Sequence, residues 1–283
     1  MARVGDGDAS PMKSISHAIE MLSLFTNARR PLSATEIAKE LGLHKSSASR
    51  ILATLSAARF VERDAESGRY SLGLGILSLA SHVLARYQLP SAARRFLELL
   101  ADRIGETITI STWNGQEAVN LDQIMGERSV LNMSPPGRVN PAHCTATGKI
   151  FLAYLPDDRD HALAGPLKKF TPKTISSKRK LVAELRDVAA AGYAVNEQEF
   201  DLDVSSVAAP VFNVRGVPVY AVAVTIPHFR YDAATKLRLI AETTAAGRYL
   251  SGLLGYVPHG SEGVSAAASP GRDTKRRKLR TVA

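Results

Sequence analysis

The chain has 283 residues, 45% of them hydrophobic and 22% charged, with a formal net charge of +9. No apolar run approaches the roughly 18 residues that a membrane span needs. The single cysteine, Cys144, leaves no partner for an internal disulfide, which fits a reducing cytoplasm. The opening "MARVGDGDASPMKS" carries no apolar secretory stretch. Residues 258–283 hold six Lys/Arg against two Asp/Glu, so nearly half of the excess charge sits in one short stretch. Such a balance is compatible with nucleic acid and does not establish it.

In chain order, residues 1–12 are small and polar and are expected to be disordered, as are residues 258–283. The "KRRKLR" within the latter reads as a solvated tail or as an arm binding phosphates without sequence preference. "SISHAIEMLSLF" is a helix whose stripe is Ile15, Ile19 and Leu22, with Ala18 and Phe25 beside them. Ser33 and Glu36 form an S-x-x-E capping box for a second helix. Its inner side is Ile37, Ala38 and Leu41, and Gly42 ends it. A third helix starts near Lys45 and turns Ala48, Ile51, Leu52 and Leu55 inward. Phe60–Arg63 and Arg69–Leu72 flank a turn with Ser67 and Gly68, a hairpin. Three helices and a hairpin over residues 13–73 make a winged helix–turn–helix. Residues 74–89 are a connecting helix that can also pack on a partner chain.

Residues 90–257 alternate differently. A helix closes at Gly105, and "TITISTW" and "EAVNLDQI" are strands about a tight hairpin at Asn114–Gly115. "SVLNM" is another strand and "CTATGKIFLAYL" a small-residue helix, in which Gly148–Lys149 fits helix packing with a solvated lysine. A helix capped by Ser176 or Ser177 runs to Gly192. Glu197, Glu199, Asp201 and Asp203 alternate at strand period, as a charged strand face or a pocket rim. "SSVAAPVF" and "VPVYAVAVTIP" are paired strands, and a last helix covers about residues 233–254. Strands with segregated helices make this half α+β.

The third helix divides its labour. While Ala48, Ile51, Leu52 and Leu55 face a core, Lys45, Ser46, Ser47, Ser49 and Arg50 project from the N-terminal half. In a helix–turn–helix, that half enters the major groove. Hydroxyls allow close approach, and Arg50 can pair with guanine or with a phosphate. Arg63 and Arg69 are candidate wing contacts, with Arg69 the better placed because it follows the turn directly. A competing reading makes the chain a small-molecule enzyme using Cys144 beside His143, with the N-terminal unit serving only dimerisation. A third is a nucleoid-like binder acting through the basic tail. The histidines show no metal-ligand spacing, and "TATGKI" is no phosphate loop, so neither metal nor cofactor is expected.

"SATEIAKELGLHKSSASRILATL" and "FVERDAESGRYSLGLGILSLA" resemble the DNA-binding half of the IclR family of bacterial transcriptional regulators. "PAHCTATGKIFLAYL" and "GYAVNEQEFDLDVSSVAAPVFNVRGVPVYAVAVTIP" resemble its effector-binding half. The resemblance implies a GAF-like effector domain, a dimer or dimer of dimers, palindromic operator DNA, and a small carboxylic or aromatic effector. It puts the effector site at Met133, His143, Cys144, Thr145, Asn196, Ser206, Ala223 and Thr225. It places His44 where a proline is common, His17 where an arginine is common, and Ser206 where acid-binding members carry a cysteine. Asp203 replaces a usual glycine. These departures fit a ligand larger or less charged than glyoxylate or pyruvate.

Overall fold

The computed structural model describes residues 12–28, 30–87, 89–129 and 135–258. The expected tails apart from Met12 and Pro258, the "SVLNM" strand apart from Ser129, and Met133 therefore lie outside the described residues. Among the described residues no helix is long and apolar enough to cross a membrane.

The N-terminal unit is built from α1 (Lys13–Asn27), α2 (Ala34–Glu40), α3 (Lys45–Ala57), β1 (Val61–Arg63) and β2 (Tyr70–Leu72). The capping box forms as read: Ser33 Oγ accepts from the Glu36 N–H, and the Glu36 carboxylate accepts from the Ser33 N–H at 2.7 Å. Gly42, at φ +62°, closes α2 in a Schellman motif. Its N–H reaches Lys39 O while the Leu43 N–H reaches Ala38 O. Met21, Phe25, Ile37, Ala38, Ala48, Leu52, Leu55 and Val61 form the core.

One expected stripe is corrected. Ile15 and Ile19 are 54% and 60% exposed, whereas Met21 is fully buried. Apolar residues surround much of α1, and the three-helix core takes the side carrying Met21 and Phe25. That leaves Ile15 and Ile19 outside.

α4 (Gly75–Arg86) follows, and then α5 (Ser91–Ile104) opens the second unit. Its strands are β3 (Thr107–Trp113), β4 (Ala118–Ile124), β5 (Val139–Asn140), β6 (Ala194–Glu197), β7 (Val204–Phe212) and β8 (Pro218–Pro227). They form one antiparallel sheet in the order β5-β4-β3-β8-β7-β6. Its helices are α6 (Ala146–Tyr154), α7 (Pro156–Ala162), α8 (Lys178–Ala191) and α9 (Ala233–Leu253). Sequence reading had no counterpart for β5 or for α7, which starts at Pro156.

Strand alternation sorts the sheet's two faces. Ile108, Ile110, Val207, Val211, Val222, Val224 and Ile226 pack with α5 and α9 in one apolar core. The intervening positions are small or polar. Ala208, Ala221 and Ala223 meet Ile150 and Phe151 of α6. Gly148 lets α6 approach closely: a Cβ there would lie 2.3 Å from Ala142 O.

Three further expectations are corrected. Asn114 lacks the positive φ of a tight two-residue turn. Its side chain instead accepts from the Gln116 and Glu117 N–H groups and shapes a longer loop. The acidic run is not a strand face, because β6 ends at Glu197 and Gln198 turns to φ +65°. Lys149, expected in solvent, is 0% exposed.

Candidate functional site

Two places in the molecule collect the residues singled out above. The first is the start of α3. Lys45, Ser46, Ser47 and Arg50 are exposed and Ser49 is half-buried, while Ala48, Leu52 and Leu55 on the opposite side are buried. No side chain caps the helix at His44, so its first N–H groups and its dipole face outward. The two arginines of the hairpin differ. The Arg69 guanidinium donates to Pro31 O at 3.1 Å and to the Glu36 carboxylate at 2.9 Å, which ties the hairpin to the start of α2. Arg30 holds the other oxygen of Glu36 at 2.7 Å. The Arg30 contact and the Ser33 N–H drive the Glu36 carboxyl far below the usual carboxylate range. Arg63 is exposed, 6.0 Å over the Tyr70 ring.

The second place is a cleft between the small-residue face of the sheet and the N-terminus of α6. It holds about 510 Å³ of empty space, part of it open to solvent. Register explains its floor: Asn196, Ser206 and Thr225 are successive cross-strand partners, and Thr109 pairs with Ala223 in the next row. Of the positions implied by resemblance, the cleft brings together Thr145, Asn196, Ser206, Ala223 and Thr225.

His143 and Cys144 do not line the cleft. The His143 Nε2–H donates to Lys168 O at 2.8 Å, and burial lowers the ring's pKa. Cys144 is buried, and burial pushes its thiol up to about 12. A thiol held protonated there is a poor nucleophile, so the geometry gives the enzyme reading no support.

Sequence reasoning missed Thr109, Asn120, Arg138, Asn140, Thr147 and Phe200 in the lining. They come from β3, β4, β5, α6 and loops, so no single window shows them together. The available signal was the polar second position in "TITIST". Arg138 is the charged residue of the described lining, its guanidinium 5.8 Å over the Phe200 ring. The Thr145 side chain caps α6 by accepting from the Gly148 N–H. Asn196 Oδ1 accepts from the Glu199 N–H at 2.8 Å, which leaves the amide Nδ2 of Asn196 as a donor. An arginine, amide donors and a helix N-terminus favour an anion.

Behind this wall lies the buried lysine. Lys149 Nζ donates to Glu184 Oε1 and Glu199 Oε1, each at 2.5 Å, and to Val195 O at 3.1 Å. It joins α6 to α8 and to the strand bearing Asn196. Burial raises the Glu199 pKa, while Lys149 pulls it down.

Residues 14–65 match the IclR helix-turn-helix domain, and residues 81–252 match the bacterial transcriptional regulator IclR C-terminal domain. The chain is 30% identical to the HTH-type transcriptional regulator XynR of Escherichia coli, over 87% of this chain and 98% of that protein. It is 32% identical to the glycerol operon regulatory protein of Streptomyces coelicolor, with the same coverage of both. The crystal structure of Thermotoga maritima IclR aligns with a TM-score of 0.64 at 28% identity, covering 87% of this chain and all of that one. The chain belongs to the IclR family of bacterial transcriptional regulators.

Proposed function

We propose that this regulator reads a palindromic operator with Lys45, Ser46, Ser47, Ser49 and Arg50 of α3 and answers to a small organic acid in the cleft. The observation that carries the reading is an α3 whose polar, uncapped start is exposed while its opposite side is buried. Lys45 and the helix N-terminus suit phosphates, and Arg50 suits base edges or a phosphate. Arg63 is the freer wing contact, because Arg69 is engaged with Glu36. A homodimer is supported by apolar residues left exposed on α1 and at α4: Ile15, Ile19, Leu74, Leu77 and Val83. Two copies would then present two α3 helices to two half-sites.

Hydroxyls and amides dominate the cleft lining, so the class we assign is a carboxylate bearing hydroxyl or keto groups. Residues 74–89 connect the two units, and the control is allosteric if the ligand prefers one arrangement of the DNA-binding pair. Hydroxy and keto acids longer than pyruvate, titrated against operator-bound protein, should shift the DNA-bound fraction. Asn196→Asp keeps the acceptor for the Glu199 N–H and sets a negative charge in the cleft. It should abolish that response and leave operator affinity unchanged. An Asn196→Asp variant that responds like the parent would remove the cleft as the sensing site.

A further inference from the structure

A second cavity lies where the sheet runs short. β6 pairs with β7 only as far as Ala208, opposite Ala194, whereas β7 continues to Phe212. Beyond Ala208, β7 has β8 on one side and no strand of the described residues on the other. Side chains cover the gap instead. The Phe212 N–H donates to Ser251 Oγ of α9 at 2.9 Å. The Phe212 ring meets Tyr154 edge-on at 5.2 Å and Tyr256 at 5.0 Å. A missing strand leaves a width of about 4.8 Å, and these groups do not fill it. About 680 Å³ of empty space remains, part of it open to solvent, walled by the three rings, by Thr244 and by Arg248.

This cavity shares no lining residue with the polar cleft. α6 runs between them, with Thr145 to Thr147 at the cleft and Tyr154 at the cavity. The two differ in chemistry. Arg138, amides and hydroxyls give the cleft its character, whereas the cavity is aromatic and apolar with one guanidinium. The Tyr154 hydroxyl is already spent on Ala189 O at 3.2 Å, and the Thr244 hydroxyl on Ile240 O. Arg248 is exposed and has no carboxylate partner among the described residues. Aromatic rings attract a planar ring in offset or edge-on geometry, and a guanidinium takes a carboxylate through two parallel hydrogen bonds.

We infer that this cavity is a second small-molecule site, separate from the cleft, which takes an aromatic carboxylate between Phe212, Tyr154 and Tyr256 with its acid on Arg248. The unpaired cation at the rim of an aromatic pocket selects this class over a neutral or aliphatic one. A hydroxylated aliphatic acid lacks the apolar area to fill it.

The test is calorimetric titration of the full chain with benzoate, for the parent, Asn196→Asp, Arg248→Met and Tyr256→Ala. Benzoate should bind Asn196→Asp as it binds the parent. Arg248→Met should weaken binding by at least about tenfold, and Tyr256→Ala should weaken it as well. Circular dichroism establishes that each variant is folded, and Arg248, being exposed, should tolerate replacement. No binding to the parent overturns the inference, and so does binding lost in Asn196→Asp but kept in Arg248→Met, which would return benzoate to the cleft. Binding that appears only after removal of residues 261–283 would assign the cavity to the chain's own end. A change in oligomeric state in Arg248→Met without benzoate binding would assign it to a second copy. Either result overturns the inference as well.

Discussion

α3 and α6 begin alike and are placed in opposite surroundings. Each follows a loop and carries small and hydroxyl residues in its first turns, "KSSAS" in one and "ATGK" in the other. The start of α3 lies in solvent with one face buried, whereas α6 is buried from Ala146 through Leu152 and opens onto a cleft. Both helix starts favour anions. An exposed start is accessible to a polyanion, while an enclosed one admits only a small molecule. Burial therefore separates the two proposed roles more sharply than residue type does.

The strongest test of that contrast is the buried lysine that α6 carries and α3 lacks. Lys149→Met strands Glu184 and Glu199 and should cost about 3–5 kcal/mol, read from urea unfolding. A loss below about 1 kcal/mol would mean that the ion pairs do not hold α6 to α8 and to the loop after β6. Gly148→Ala comes next. It drives a methyl into Ala142 O and should cost about 1–3 kcal/mol. The matched change on the half-exposed side of α3, Ser49→Ala, should stay within about 0.5 kcal/mol by the same assay.

Cys144, just before α6, gives a smaller effect with a definite sign. The folded thiol ionises only near 12, while an unfolded one does so near 9.0. The unfolded state therefore loses its proton first, and stability should fall as pH rises past that lower value. Aromatic disulfide reagents should label Cys144 at the rate of unfolding in buffer and at once in denaturant. Rapid labelling of the folded chain would show the loop before α6 to be open. The smallest effect should come from Glu36→Gln, which keeps the capping geometry and loses both arginine pairs. The Glu36 carboxyl is held below its unfolded value, so its contribution is present above the normal carboxylate range and lost as pH falls through the folded value. Melting curves of parent and variant should accordingly differ slightly at neutral pH and converge in acid.

The same contrast explains what could be read from the sequence. Ser33, Glu36 and Gly42 act within one or two helical turns, so the second and third helices and the outward side of α3 were legible in one window. The hairpin was equally local. Lys149 was not, because its partners stand 35 and 50 residues away; a lysine in isolation reads as solvated. The stripe of α1 went astray because apolar residues surround that helix and only packing chooses among them. Five of the thirteen described residues lining the cleft were reached through family resemblance. Arg138, Asn120 and Asn140 were missed because separate segments bring them together. Arg69 stands beside the turn as read, but its distant partner Glu36 turns it inward.

The most direct test of the outward role of α3 is fluorescence anisotropy on DNA from the gene's own upstream region and on scrambled DNA, across a salt series. Parent protein and Arg50→Ala would be measured side by side. The parent should prefer the upstream DNA at near-physiological salt, and Arg50→Ala should lose about 1–3 kcal/mol of that affinity while melting as the parent does. Equal and steeply salt-dependent binding of both proteins to both DNAs would contradict the account, since charge alone would then be read.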